Sequence, residues 1–180
     1  MSPGTPRGDE QSSAPLSIRP LADREEAEAC ARIMAASEPW LTLRRSYETS
    51  LAILTEPGKE VHVARDDRSL AGFLILDLRG PFTGYIQTVC VEPSHRGHGV
   101  GTQLVKWAEA RIGKESPNVF LCVSAFNHEA RRLYERLGYR LVGTLTDYLV
   151  DGYDEHLFRK TIGSWEAFRA ARVPAPQARA

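Results

Sequence analysis

One run limits the folds open to this chain more than any other: Val89-Cys90-Val91-Glu92-Pro93-Ser94-His95-Arg96-Gly97-His98-Gly99-Val100-Gly101. It reads as the end of an apolar strand, a turn with three glycines, and the start of a helix. Val100, Leu104, Trp107, Ala108 and Ile112 then recur with a helical period. A strand passed through such a turn into an amphipathic helix is a unit of α/β chains. The first backbone N–H groups of a helix lack partners and carry about half a positive charge. Glycines let an anion approach those groups and permit φ > 0. Arg96 adds a guanidinium fork. A pyrophosphate cradle is expected; a plain strand-to-helix turn with spare glycines is the alternative.

Two other glycine-rich loops do not fit. A P-loop ends in Gly-Lys-Ser/Thr, whereas Gly101 is followed by Thr102 and Gln103, which disfavours a kinase or ATPase. The dinucleotide fingerprint needs G-x-G-x-x-G, and the order Gly97, Gly99, Gly101 does not supply it.

Strands and helices alternate around this turn. Leu16–Arg19 reads as a strand, Asp23 as the N-cap of a helix that Pro39 ends, and Arg45–Leu54 as a second helix. Val61–Ala64 and Leu70–Leu78 flank a hairpin, and Tyr85–Val91 is a central strand. Val119–Val123 is a buried strand, Asn127 caps a helix ended by Gly138, and Tyr139–Leu145 and Glu155–Thr161 are the last strands. At 180 residues, one domain is expected over 16–165, between a disordered leader, 1–15, and a C-terminal tail, 166–180. Lys plus Arg number 23 and Asp plus Glu 23, so the basic excess of nucleic-acid binding is missing. Cys30, Cys90 and Cys122 are too few and too scattered for a disulfide framework or a zinc site. No signal-peptide core is visible, and Leu70–Leu78, broken by Asp77, falls short of a membrane span. The reading is a cytoplasmic monomer or homodimer without metal, nucleic-acid or membrane partner.

Val91-x-Pro93-x-x-Arg96-Gly97-x-Gly99-x-Gly101 resembles the acetyl-CoA signature of the GNAT superfamily of N-acetyltransferases. Asn127-x-x-Ala130-x-x-Leu133-Tyr134-x-x-x-Gly138-Tyr139 resembles that family's later motif, where a helix lies beside the thioester. The resemblance spans roughly Leu16 to Ile162. It implies a mixed, mostly antiparallel sheet flanked by helices and splayed between the fourth and fifth strands. It implies acetyl-CoA as co-substrate. Val89, Cys90 and Val91 would meet the pantetheine arm as an added strand. Arg96, Gly97, His98, Gly99, Val100, Gly101 and Thr102 would hold the pyrophosphate. Asn127 would bond the pantetheine arm, or serve only as a cap. Tyr134 would be the general acid that protonates the leaving sulfur, or pack in the core.

The base is open. Around Asn127 the chain is similar to alanine acetyltransferases of ribosomal proteins, which carry a glutamate where this chain has Cys122. A buried thiol is a poor base, and core packing is the reading for Cys122. An α-amine with a pKa near ~8 is about one-tenth neutral at pH 7, so a weak base suffices for it, whereas a lysine needs more help. Glu92, His95 and His98 read as surface groups, and Tyr85 or Gln87 could order a water. The family builds its acceptor pocket from the first two helices and the last hairpin. Those segments are Ser37–Leu43, where Trp40 walls a pocket or plugs a core, and Asp147–Asp154, whose carboxylates would suit a cationic amine or lie solvated. The implied function is acetyl transfer to a primary amine in a ternary complex, the amine being small-molecule, peptide or protein. A catalytically silent acyl-CoA sensor and a transferase for longer acyl chains or non-amine acceptors are the alternatives.

Overall fold

Short polar side chains start most of the helices. Asp23 accepts from the Glu26 N–H at 2.9 Å and opens α1 (Arg24–Ala35). Ser46 accepts from the Thr49 N–H and opens α2 (Tyr47–Leu54). That cap holds Ser46 extended, so α2 starts two residues later than the expected Arg45. The computed structural model describes residues 16–67 and 69–172; the leader and the last eight residues of the expected tail lie outside them. Among the described residues the order continues with β1 (Ser17–Pro20) ahead of α1, then β2 (Glu60–Arg65), β3 (Leu70–Asp77) and β4 (Tyr85–Val91) after α2. A 3-10 turn (Pro93–His95), α3 (Val100–Ile112), β5 (Asn118–Ser124) and α4 (His128–Arg136) follow, then β6 (Arg140–Val150), β7 (Tyr153–Thr161) and α5 (Trp165–Ala170). Helix α5, capped by Ser164, stands where the sequence reads as tail.

The seven strands form one sheet in the order β1-β2-β3-β4-β5-β7-β6. Only the β4–β5 contact is parallel. Because side chains alternate across a strand, the sheet feeds two cores. Leu74, Leu76, Ile86 and Leu121 pack under α3 and α4 with Leu104, Val105 and Ile112. Val63, Phe73, Ile75 and Cys90 pack under α1 and α2 with Ala27, Cys30 and Met34.

Two irregularities in β4 make the site. Ile75 of β3 pairs with Thr88 and Leu76 with Ile86, so Gln87 is an extra residue in the ladder, a β-bulge. On its other edge β4 pairs with β5 only at Tyr85–Phe120 and Ile86–Leu121. Beyond Ile86 the strands part, as the family resemblance implies. The Glu92 N–H donates to Ala71 of β3 at 3.0 Å. By ladder alternation Cys90 also turns its backbone groups to β3, and Val89 and Val91 turn theirs into the gap.

Candidate active site

The cradle forms where β4 ends. Gly97 and Gly99 have φ of 78° and 79°, and a Cβ at either would meet nothing within 4 Å. The glycines are therefore required by backbone conformation rather than by crowding. Gly99 caps α3, and the first intrahelical bond is from Gln103 N–H to Gly99 C=O at 3.1 Å. The N–H groups of Val100, Gly101 and Thr102 have no partner among the described residues and face a groove of about 410 Å³. Arg96 holds this end of the groove: Nε donates to the Val91 carbonyl at 3.3 Å and Nη2 to Ser37 Oγ at 3.2 Å. These unpartnered donors and the cation suit a pyrophosphate, and the unpaired edge of β4 suits an extended arm. Gly97→Val and Gly99→Val are each expected to weaken acetyl-CoA binding at least about tenfold, because a β-branched residue resists φ > 0. Calorimetric titration checks this.

His95 is no loose surface residue. Its Nδ1 lies 3.1 Å from Glu92 Oε2 and its Nε2 3.1 Å from Asp66 Oδ2, in the β2–β3 turn. Ser94 donates to the same Glu92 oxygen through both N–H and Oγ. Glu92 first, and then Asp66, hold the imidazolium above its ordinary pKa. A raised histidine pKa adds stability that is complete below about pH 6.5 and is lost as pH rises through the folded value. His95→Gln is thus expected to lower Tm more at pH 6 than at pH 9, which thermal melts at the two pH values check.

A second hollow, of about 200 Å³, opens on the α1–α2 side of the same gap. Tyr134 lines both hollows, as do Trp40, Val89, Asn127 and Ala130. Tyr134 is 7% exposed, its ring packs edge-on against Tyr139 at 5.7 Å, and burial pushes its phenol up to about 12. Its hydroxyl makes no hydrogen bond among the described residues. It stands as a protonated donor where the two hollows meet.

At the floor of the second hollow lies a carboxyl group that sequence reading missed. Glu155 pairs with Ser124 across β5–β7 and is 3% exposed. Ser124 Oγ donates to its Oε1 at 2.5 Å. Burial raises its pKa, against the opposing effects of Ser124 and Arg45. No sequence signal singles it out, because Asp154 and His156 flank it in a strand that also carries Arg159 and Lys160. Cys122, expected in the core, is half-buried beside Glu155 and Tyr85. Burial raises the Cys122 thiol and sends the Tyr85 phenol far above its usual range.

The groove gathers Val89, Cys90, Val91, Arg96, Gly97, Gly99, Val100, Gly101, Thr102, Asn127 and Tyr134. His98 is exposed and does not line it. The Cys90 side chain belongs to the α1–α2 core, leaving its backbone as wall. Asn127 Oδ1 caps α4 through the Ala130 N–H at 3.1 Å and also lines both hollows. Trp40 is 8% exposed and does both things proposed for it: it packs in the α1–α2 core and walls the hollows. Tyr148 and Leu149 reach the second hollow, whereas Asp147, Asp151 and Asp154 do not. Leu133 of the later motif lines the groove from α4, and so does Arg136, which that motif does not include.

A splayed parallel pair, with a helix N-terminus at one end of the gap and a buried phenol between the two hollows, suits an acyltransferase working on a CoA thioester. The chain belongs to the acetyltransferase (GNAT) family, whose model matches residues 24–139. It is 28% identical over 157 residues to N-alpha-acetyltransferase RimI of Mycobacterium tuberculosis, covering 83% of this chain and 94% of that protein. It is 31% identical over 93 residues to Blasticidin-S acetyltransferase of Streptomyces morookaense, covering 48% of this chain and 68% of that one. An aminoglycoside 6'-N-acetyltransferase complexed with coenzyme A shares the fold, with a TM-score of 0.68 and 18% identity over 82% of this chain and 98% of that one. The family uses acetyl-CoA. Among the described residues no group of His, Cys, Asp or Glu is placed to hold a metal, and no helix is long and apolar enough to cross a membrane.

Proposed function

We propose that the protein transfers the acetyl group of acetyl-CoA to a primary amine by direct attack in a ternary complex. The observation that carries this reading is the meeting of two hollows at Tyr134. Bound acetyl-CoA supplies an activated acyl group and a thiolate leaving group. Val89 and Val91 offer backbone donors and acceptors to the pantetheine arm. The N–H groups of Val100, Gly101 and Thr102, with Arg96, meet the pyrophosphate, and Asn127 lies beside the arm.

The amine enters from the second hollow. Glu155 is its general base: a buried carboxylate of raised pKa matches an ammonium better than an exposed one. It supplies from β7 the carboxylate that Cys122 lacks on β5. Tyr134, which burial keeps protonated, gives its proton to the sulfur as the C–S bond breaks. The similarity to RimI over most of both chains favours α-amine acceptors, which need only a weak base.

The test is thiol release from acetyl-CoA with panels of amino acids, peptides with free N-termini, polyamines and aminoglycosides. Acceptor-dependent release, with no acetyl-enzyme formed when acceptor is withheld, is the expected result. An acetylated protein competent to pass its acetyl group to acceptor would overturn the ternary mechanism.

A further inference from the structure

Arg45 lies in the turn ahead of α2, where its backbone N–H donates to the Trp40 carbonyl at 2.9 Å. Its side chain lines the second hollow with Tyr85, Gln87, Tyr148 and Glu155. Other half-sheltered arginines are paired: Arg111 with Glu60, and Arg19 and Arg65 with Glu26. The Arg45 guanidinium has no hydrogen bond or ion pair among the described residues. A guanidinium partly stripped of water and left without an acceptor is unfavourable unless a ligand completes it.

Among the described residues, Arg45 and Glu155 are the only charged ones that line this hollow. They interact across it without forming an ion pair. From this pairing, and resting on the acetyltransferase reading above, we propose that the acceptor is a zwitterion: its amine lies at Glu155 and Tyr134, and its carboxylate is gripped by Arg45. The planar fork of arginine matches a carboxylate in two-point geometry. A polycation would meet one carboxylate and a repelling guanidinium. A phosphate dianion would bring excess negative charge towards Glu155. A hollow of about 200 Å³ suits an amino acid or a single terminal residue. The same chemistry is offered by a free amino acid and by a peptide that begins with an acidic residue. Once the ammonium has lost one proton to solvent, acetylation forms the amide N–C bond, breaks the C–S bond, and sends a second amine proton to Glu155 and the Tyr134 proton to sulfur; Glu155 then gives up its proton and Tyr134 regains one through solvent.

The experiment compares kcat/KM for matched acceptors by thiol release. Glycine, β-alanine and γ-aminobutyrate are each set against the carboxamide, and peptides beginning with Asp or Glu against those beginning with Asn or Gln. Wild type is expected to favour one set of acids by at least about tenfold, and the set favoured separates free amino acids from peptide termini. Arg45→Gln is expected to remove most of that preference by losing the acids, with Arg45→Lys falling between. Wild-type preference for carboxamides, diamines or aminoglycosides would overturn the zwitterion and leave the acetyltransferase reading standing. Equal losses on acid and carboxamide in Arg45→Gln would overturn it too. Failure of wild type to bind acetyl-CoA would instead overturn the reading on which it rests.

Discussion

Tyr134→Phe is expected to lower kcat at least about a hundredfold while leaving acetyl-CoA affinity within about threefold. The variant keeps the ring that packs on Tyr139 and loses only the hydroxyl. That hydroxyl has no hydrogen-bond partner among the described residues, so its removal leaves no orphaned group and Tm should hardly move. The loss therefore falls on the proton that the leaving sulfur needs. Burial has pushed the phenol up to about 12, so it stays protonated across the neutral range and gives no basic limb to the rate there. Steady-state kinetics beside a calorimetric Kd separates the two effects. A kcat drop of less than about threefold would remove Tyr134 as the acid.

Glu155→Gln is the second large effect, expected to cut kcat by about a hundredfold or more. The acidic limb of the kcat profile should also disappear, since that limb reports a carboxyl group whose pKa is raised by burial. The sign for stability runs opposite to activity. A carboxyl with a raised folded pKa binds its proton more tightly folded than unfolded, so it favours folding at low pH and costs stability once ionised. Gln removes that cost. At neutral pH the variant should melt at or above the wild-type temperature, with the gap closing towards about pH 4, where the wild-type carboxyl is protonated. Activity lost with stability kept or gained separates a base from a packing residue. Retention of activity and of the acidic limb would exclude Glu155.

The cradle was legible because its parts are contiguous. A strand end, a turn with Gly97 and Gly99, and the first turn of α3 make a phosphate site within one short segment, and no tertiary information is needed to read it. Asn127 and Tyr134 were legible for the same reason, one as cap and one on the helix it caps. Glu155 and Arg45 were not. Glu155 reaches Cys122 and Ser124 only through the β5–β7 register, and Arg45 arrives from a turn far earlier in the chain. Cys122 looked like core because β5 is apolar, yet the splay strips its neighbour from one edge and opens that position to the hollow. His95 looked like loop surface because its partner Asp66 sits in a different hairpin. His98 shares the glycine turn but is exposed and does not line the groove, which residue spacing alone does not fix.

The gap between β4 and β5, closed at one end by the N-terminus of α3, is proposed to hold acetyl-CoA. Calorimetric titration of the wild-type protein with acetyl-CoA tests it without knowledge of the acceptor. The expected result is saturable binding of one acetyl-CoA per chain, with a Kd on the order of micromolar to hundreds of micromolar. The absence of any binding heat, together with a Tm that acetyl-CoA leaves unchanged, would contradict it.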